Sequence, residues 1–200
     1  MILGTHLILS AYGFWLPNDP RGSWSEFVGA WELLRFGRAT KVETHRSVAA
    51  RPHDRRARLA AKGALKYPEV RFTGVQARAI GRAFAAQAAR SDLVIWACAI
   101  LPNHTHLVVA RHPMGHEQIA NLLKGATTRQ FLAEGIHPLA QWRSADGRTP
   151  KAWAQGQWAV FLDSPDDVVR AVRYVEGNPA KEGLPAQHWR FVGPCPYVVA

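Results

Sequence analysis

The sequence predicts an α+β fold, an antiparallel sheet with helices packed on one face of it. Three observations carry that expectation. Runs with strand character alternate with longer stretches of helical period, in the order β, insert, α, β, β, α, β, α. Two of the strand runs, 93–101 and 104–111, are separated only by Pro102-Asn103, a natural turn, so they should pair antiparallel. Finally, 200 residues with 48% hydrophobic and 20% charged content suit one globular domain with a sizeable core.

The elements follow in chain order. Residues 5–12 (THLILSAY) read as the first strand. The following GFWLPNDPRGSWS is rich in Gly, Pro, Asn and Asp and reads as a structured loop. Residues 38–71 read as an inserted, partly helical, basic segment punctuated by Pro52 and Pro68, the whole insertion covering about 36–71. Thr73 can cap a helix over 73–90, to which Val75, Ile80, Phe84 and the alanines give apolar surface. The continuous apolar run LVIWACAIL (93–101) is best read as a buried strand, and HTHLVVAR (104–111) as its partner. A second helix is expected over 117–133, a short strand over 157–162 (QWAVFL) and a third helix over 164–177, closed by Gly177 and Pro179. This order is related to the ferredoxin-like plan, in a single domain over 1–200.

Charge narrows the class of partner. The net charge is +10 and the pI about 10.3. Residues 35–71 hold eleven Lys or Arg against Glu43, Asp54 and Glu69, so +8 of the surplus falls in under a fifth of the chain. Arg38, Lys41, Arg46, Arg55, Arg56 and Arg58 belong to this group. They form either a solvated helical face or an arm that contacts phosphates regardless of base sequence. Trp15, Trp24 and Trp31 lie nearby and either stack on unpaired bases or fill a small core. Nucleic acid is the leading partner. No apolar run approaches the roughly 18 residues that span a bilayer, and the start lacks the basic segment of a secretory signal. A cytoplasmic protein without a membrane partner is expected. Cys98 and Cys195, far apart in sequence, are expected as free thiols.

Candidate chemistry sits in two places. His104 and His106 are separated by one residue in an expected strand, so both imidazoles project from the same face and can share a divalent ion. His112 and His116 follow closely, but no cysteine is near and Pro113 and Gly115 indicate a turn, which makes a four-histidine structural zinc site the poorer reading. In the third expected helix, Ser164 is a good N-cap, Pro165 suits the first position, and Asp166 and Asp167 favour the positive end. Val168, Ala171, Val172 and Val175 form its core stripe. Tyr174 lies about a quarter-turn from that stripe, and Asn178, four residues on, would stack beside it. By spacing alone, a boundary tyrosine with an asparagine C-cap is the favoured reading.

Two of these segments resemble motifs of one enzyme family. LPNHTHLVV (101–109) resembles the HUH motif of single-tyrosine transposases, and RYVEGNPAKEGL (173–184) resembles their tyrosine helix. The nearest branch is the REP-associated tyrosine transposases, which AYGFWLPNDPRGSW (11–24) and WAVFLDSPDDVVRAVRYV (158–175) also resemble. The resemblance implies the HUH-endonuclease type of fold. It makes His104 and His106 metal ligands, Asn178 the amide that completes the site and Tyr174 the nucleophile. It implies Mg²⁺ or Mn²⁺ as cofactor, single-stranded or hairpin-forming DNA as substrate, and a 5′-phosphotyrosine intermediate with a free 3′-hydroxyl. The protein would act as a monomer or a homodimer. The middle motif residue is Thr105, where the family usually has a bulky apolar residue, and on a strand it points away from the histidines.

The residue types fit the chemistry. A tyrosine of pKa about 10 is a weak nucleophile at neutral pH and needs charge neutralisation on the phosphate it attacks. Imidazole and amide donors suit Mn²⁺ well, and Mg²⁺ prefers oxygen. Arg170, one turn before Tyr174, and Arg173 and Lys181 either steady a phosphate or are solvated. Two other functions compete with strand transfer. One is a catalytically silent DNA-binding module of the same fold, and the other is a metal phosphoesterase that uses activated water.

Overall fold

The computed structural model describes residues 1–14, 16, 31–37 and 54–198. Four strands, β1 (Gly4–Ser10), β2 (Ile95–Ile100), β3 (His104–Ala110) and β4 (Trp158–Leu162), form one sheet in the order β2-β3-β1-β4. Every neighbouring pair is antiparallel. Helices α2 (Gly74–Arg90) and α3 (His116–Ala133) make the two crossovers. The result is the ferredoxin-like plan, with α1 (Arg55–Gly63) in the basic insertion and α4 (Pro165–Lys181) appended.

Local sequence explains the boundaries. Thr73 accepts from the Gln76 N–H while the Gln76 side chain accepts from the Thr73 N–H, a reciprocal capping box at the start of α2. The Ser164 hydroxyl accepts from the Asp167 N–H at the start of α4, where Pro165 and two aspartates suit the first turn. The α4 helix runs past its expected end at Gly177, through Pro179 to Lys181. Pro179 removes only one backbone bond, and the chain closes one turn later. There the N–H groups of Glu182 and Leu184 reach the carbonyls of Asn178 and Pro179, and Gly183 takes a φ of +69°. Asn178 is therefore inside the helix and not its cap.

The sheet is covered on both faces. Leu7, Leu9, Cys98, Ile100, Leu107 and Val109 pack against Ile80 and Phe84 of α2 and Ile119, Leu123 and Phe131 of α3. On the other face Trp96, Ala97, Ala99 and Val108 pack against Val168, Ala171, Val172 and Val175 of α4. The expectation of helices on one face thus holds for α2 and α3 and fails for α4. The reason lies in β2, whose six residues are all buried: a strand apolar at every position needs cover on both sides. Val75, expected to add apolar surface, is instead exposed.

The described part of the basic insertion is tied to the end of β1. Leu16, Leu33 and Ala61 make a small cluster with Leu65 beside it. Gly13, at a φ of +82°, passes so close that a Cβ there would lie 2.9 Å from both Leu65 and Glu69. The Val70 N–H donates to the Tyr12 carbonyl at 2.9 Å. Cys98 and Cys195 are free thiols.

Candidate active site

Strand alternation and register build the site. On β3, His104, His106 and Val108 face α4, and Thr105 faces the opposite core with no exposure. In the β1–β3 register His104 opposes Ser10, His106 opposes Ile8 and Val108 opposes His6. That register brings His6 onto the same face, diagonal to His106. The Nε2 atoms of His104 and His106 are 2.9 Å apart, so the two rings aim at one point. His106 Nδ1 lies 3.0 Å from His6 Nε2, and His104 Nδ1 lies 2.7 Å from Asn103 Oδ1. Phe14 stacks on His104 with ring centroids 4.7 Å apart.

Helix α4 lays a second set of groups over these rings. The Tyr174 ring sits edge-on to His106 and to His6, with centroids 5.6 Å and 5.8 Å away. Tyr174 is nonetheless 46% exposed, so it reaches both the histidines and the solvent. Lys181 Nζ lies 4.4 Å from the centre of the Tyr174 ring. Between the two on that helix stripe comes Asn178, 5% exposed, with its Nδ2 buried and without a hydrogen-bond partner. The predicted residues His104, His106 and Tyr174 are thus brought together, and Asn178 lies on the helix stripe between Tyr174 and Lys181.

Burial keeps His6 and His106 neutral. It pushes His6 down to about 4. It also holds His106 well below the usual histidine range, with the positive charge of neighbouring His104, His6 and Lys181 adding to the effect. A neutral imidazole offers the lone pair that a metal ligand must have. Among the described residues no three His, Cys, Asp or Glu side chains are arranged to hold an ion. The three histidines form a chain because His106 spends one nitrogen on each neighbour. The donors that fit a divalent ion are therefore the two converging Nε2 atoms. The unpartnered buried atom of Asn178 is its Nδ2, an N–H donor, so the side chain would have to present its oxygen to join them.

The other expected residues are dispersed. Arg170 is exposed and paired with Asp167, and Arg173 is exposed. Arg55 and Arg56 are exposed on α1, and Arg58 is half-buried with an unpartnered Nε. Arg38, Lys41 and Arg46, with Trp15 and Trp24, lie outside the described residues. His112 and His116 line a cavity with Leu7 and Val109, on the face away from His104. His6 was missed by the sequence reading. Its polar side chain interrupts the apolar members of THLILS, but only the pairing of β1 with β3 places it beside His106.

The fold and site define a ferredoxin-like domain that carries a tyrosine helix over a histidine pair. Comparison with protein-family models and with curated proteins gave no match. Among the solved structures similar to the chain are two that share 13% identity with it. One is a REP-associated tyrosine transposase bound to a REP hairpin, with a TM-score of 0.47, covering 92% of this chain and 72% of the other. The second is a protein from Deinococcus radiodurans solved as a candidate transposase, with a TM-score of 0.40, covering 88% of this chain and 91% of the other.

Proposed function

We propose that this chain is a transposase-type enzyme, a divalent-metal-dependent endonuclease and strand-transferase for single-stranded, hairpin-bearing DNA. The observation that carries this reading is Tyr174, half-exposed and held edge-on to the buried His106 of the converging pair. The nucleophile candidate and the converging nitrogens thus lie side by side, where one bound phosphodiester could meet both. The hairpin in one similar structure accords with the proposed substrate.

In this reading the Tyr174 oxygen attacks phosphorus in line with the leaving 3′-oxygen. The tyrosine loses its proton, the O–P bond to Tyr174 forms, the P–O3′ bond breaks, and the 3′-oxygen takes up a proton. One phosphodiester replaces another, so a 3′-hydroxyl can reverse the step and join strands without ATP. His104, His106 and Asn178 would hold Mn²⁺ or Mg²⁺, which when bound supplies Lewis-acid polarisation of the phosphate. Lys181 sets a positive charge beside the nucleophile, where phosphate charge gathers.

A denaturing gel tests the reading. The protein is incubated with labelled hairpin-bearing single-stranded DNA and Mn²⁺. A covalent protein–DNA band is expected, absent with Tyr174→Phe and absent with chelator. Cleavage that survives Tyr174→Phe would mean water is the nucleophile and would sink strand transfer. Tight hairpin binding with no adduct and no cleavage across several hairpins would make the chain a silent binding module.

A further inference from the structure

We propose that His6 is a positioning residue for His106, setting which nitrogen of that ring carries the proton and so delivering its Nε2 lone pair to the point shared with His104. The inference rests on the metal-dependent reading above, and it comes from following protons through the contacts already described.

Protons can be followed along the side-chain contacts of this row of rings. Asn103 Oδ1 only accepts, so His104 Nδ1 must donate to it, which leaves His104 Nε2 as a lone pair. At 2.9 Å from that lone pair, His106 Nε2 must then carry a proton. His106 Nδ1 is left as an acceptor, and His6 Nε2, 3.0 Å away, must donate. The three rings then satisfy one another in a single direction. In that arrangement, however, the His106 nitrogen nearest His104 cannot ligate an ion.

Ligation by both histidines needs the proton of His106 on Nδ1. His6 must then accept where it had donated, moving its own proton to Nδ1. An imidazole can do this without changing charge, because it offers one donor and one acceptor in either tautomer. A carbonyl or a hydrocarbon at the same place could not serve both states. His6 is suited to the task because it is only 9% exposed and is braced by the Tyr174 ring. Metal-ligating histidines generally need such an outer partner, and losing it typically costs 10–100-fold in metal affinity.

Two measurements on the full chain test the proposal. The first is Mn²⁺ binding, read from the electron paramagnetic resonance signal of free Mn²⁺. His6→Leu is expected to weaken binding by about 10- to 100-fold, and His6→Gln, which can also donate or accept, to recover most of the loss. Equal Mn²⁺ affinity in wild type and His6→Leu would overturn the proposal. The second is the tautomer state from ¹⁵N–¹H correlation spectra of histidine-labelled protein. Without metal, His6 and His106 are both expected protonated at Nε2. With Mg²⁺ as a diamagnetic probe, both are expected to move to Nδ1. A metal-free His106 already protonated at Nδ1, or no change on adding Mg²⁺ to protein that binds it, would equally overturn it. Should His6→Leu fail to fold, wild type and His6→Gln decide the matter. Wild type that binds neither ion would instead overturn the metal-dependent function, and the metal-free tautomers would still report on His6.

Discussion

Asn178 is 5% exposed and its Nδ2 finds no partner, a state that costs about 1–3 kcal/mol when nothing takes up the polar group. To ligate a cation the amide would have to present its oxygen in place of this nitrogen. Replacing it with a carboxylate separates this role from a structural one. Asn178→Asp is expected to tighten Mn²⁺ binding by about tenfold and to improve Mg²⁺ binding more, since Mg²⁺ favours anionic oxygen. Asn178→Leu is expected to weaken both. If Asn178→Asp merely lowers Tm and leaves the Mn²⁺ titration unchanged, Asn178 is not a ligand. Thr105 gives the opposite case. Its Oγ1 is buried, without a partner, on the face away from the site. Thr105→Val should therefore raise unfolding stability by about 1 kcal/mol in urea titrations. Periods of two and of four residues set His104 beside His106 and Tyr174 beside Asn178, and only the resemblance to the transposase motifs joined the two pairs. His6 was not legible, because its position depends on a register between strands a hundred residues apart.

At the scale of elements, the same limit explains where α4 ends. Gly177 and Pro179 are local stop signals, but the closing bonds are made by Glu182 and Leu184 with Gly183 in the left-handed region. Position by position the stop at 177 was reasonable; it failed because a proline near a helix end removes only one bond. Another tertiary contact supports the site from α3. Lys124, 9% exposed, donates to the carbonyls of Ala154 and Gly156. That segment continues the sheet edge, since the Ala154 N–H donates to the carbonyl of Ser10, which opposes His104. Burial, with Lys151 adding to it, pushes the Lys124 amine down to about 8. Unfolded, the same amine titrates near 10.5. Between these values the unfolded chain holds the extra proton, so folding stability rises with pH across the window and is unaffected below it. The difference in unfolding free energy between wild type and Lys124→Met should grow by up to about 3 kcal/mol from pH 8 to 10.5. A flat difference would mean that Lys124 keeps its ordinary basicity.

For the whole molecule, the surplus of +10 has to be reconciled with a site in which burial holds His6 and His106 neutral. Attraction for a polyanion must then come from outside the histidine cluster, and residues 35–71 carry +8 of it. The close passage at Gly13 places the described part of that segment against the end of β1, next to Phe14 and so next to His104. A strand held on the basic segment would therefore lead toward Tyr174. Arg55 and Arg56 are the clearest test, being exposed on α1 and remote from the sheet's cores. Each phosphate contact to a single strand contributes about 0.7 to the slope of log affinity against log salt. The double variant Arg55→Ala/Arg56→Ala should lower that slope by about 1.4 in fluorescence-anisotropy titrations. The loss should be equal for hairpins of unrelated sequence, because phosphate contacts position DNA without reading it. An unchanged slope would assign α1 to a solvated face and leave the rest of the insertion as the source of the attraction. A loss confined to one hairpin sequence would show that these arginines touch bases.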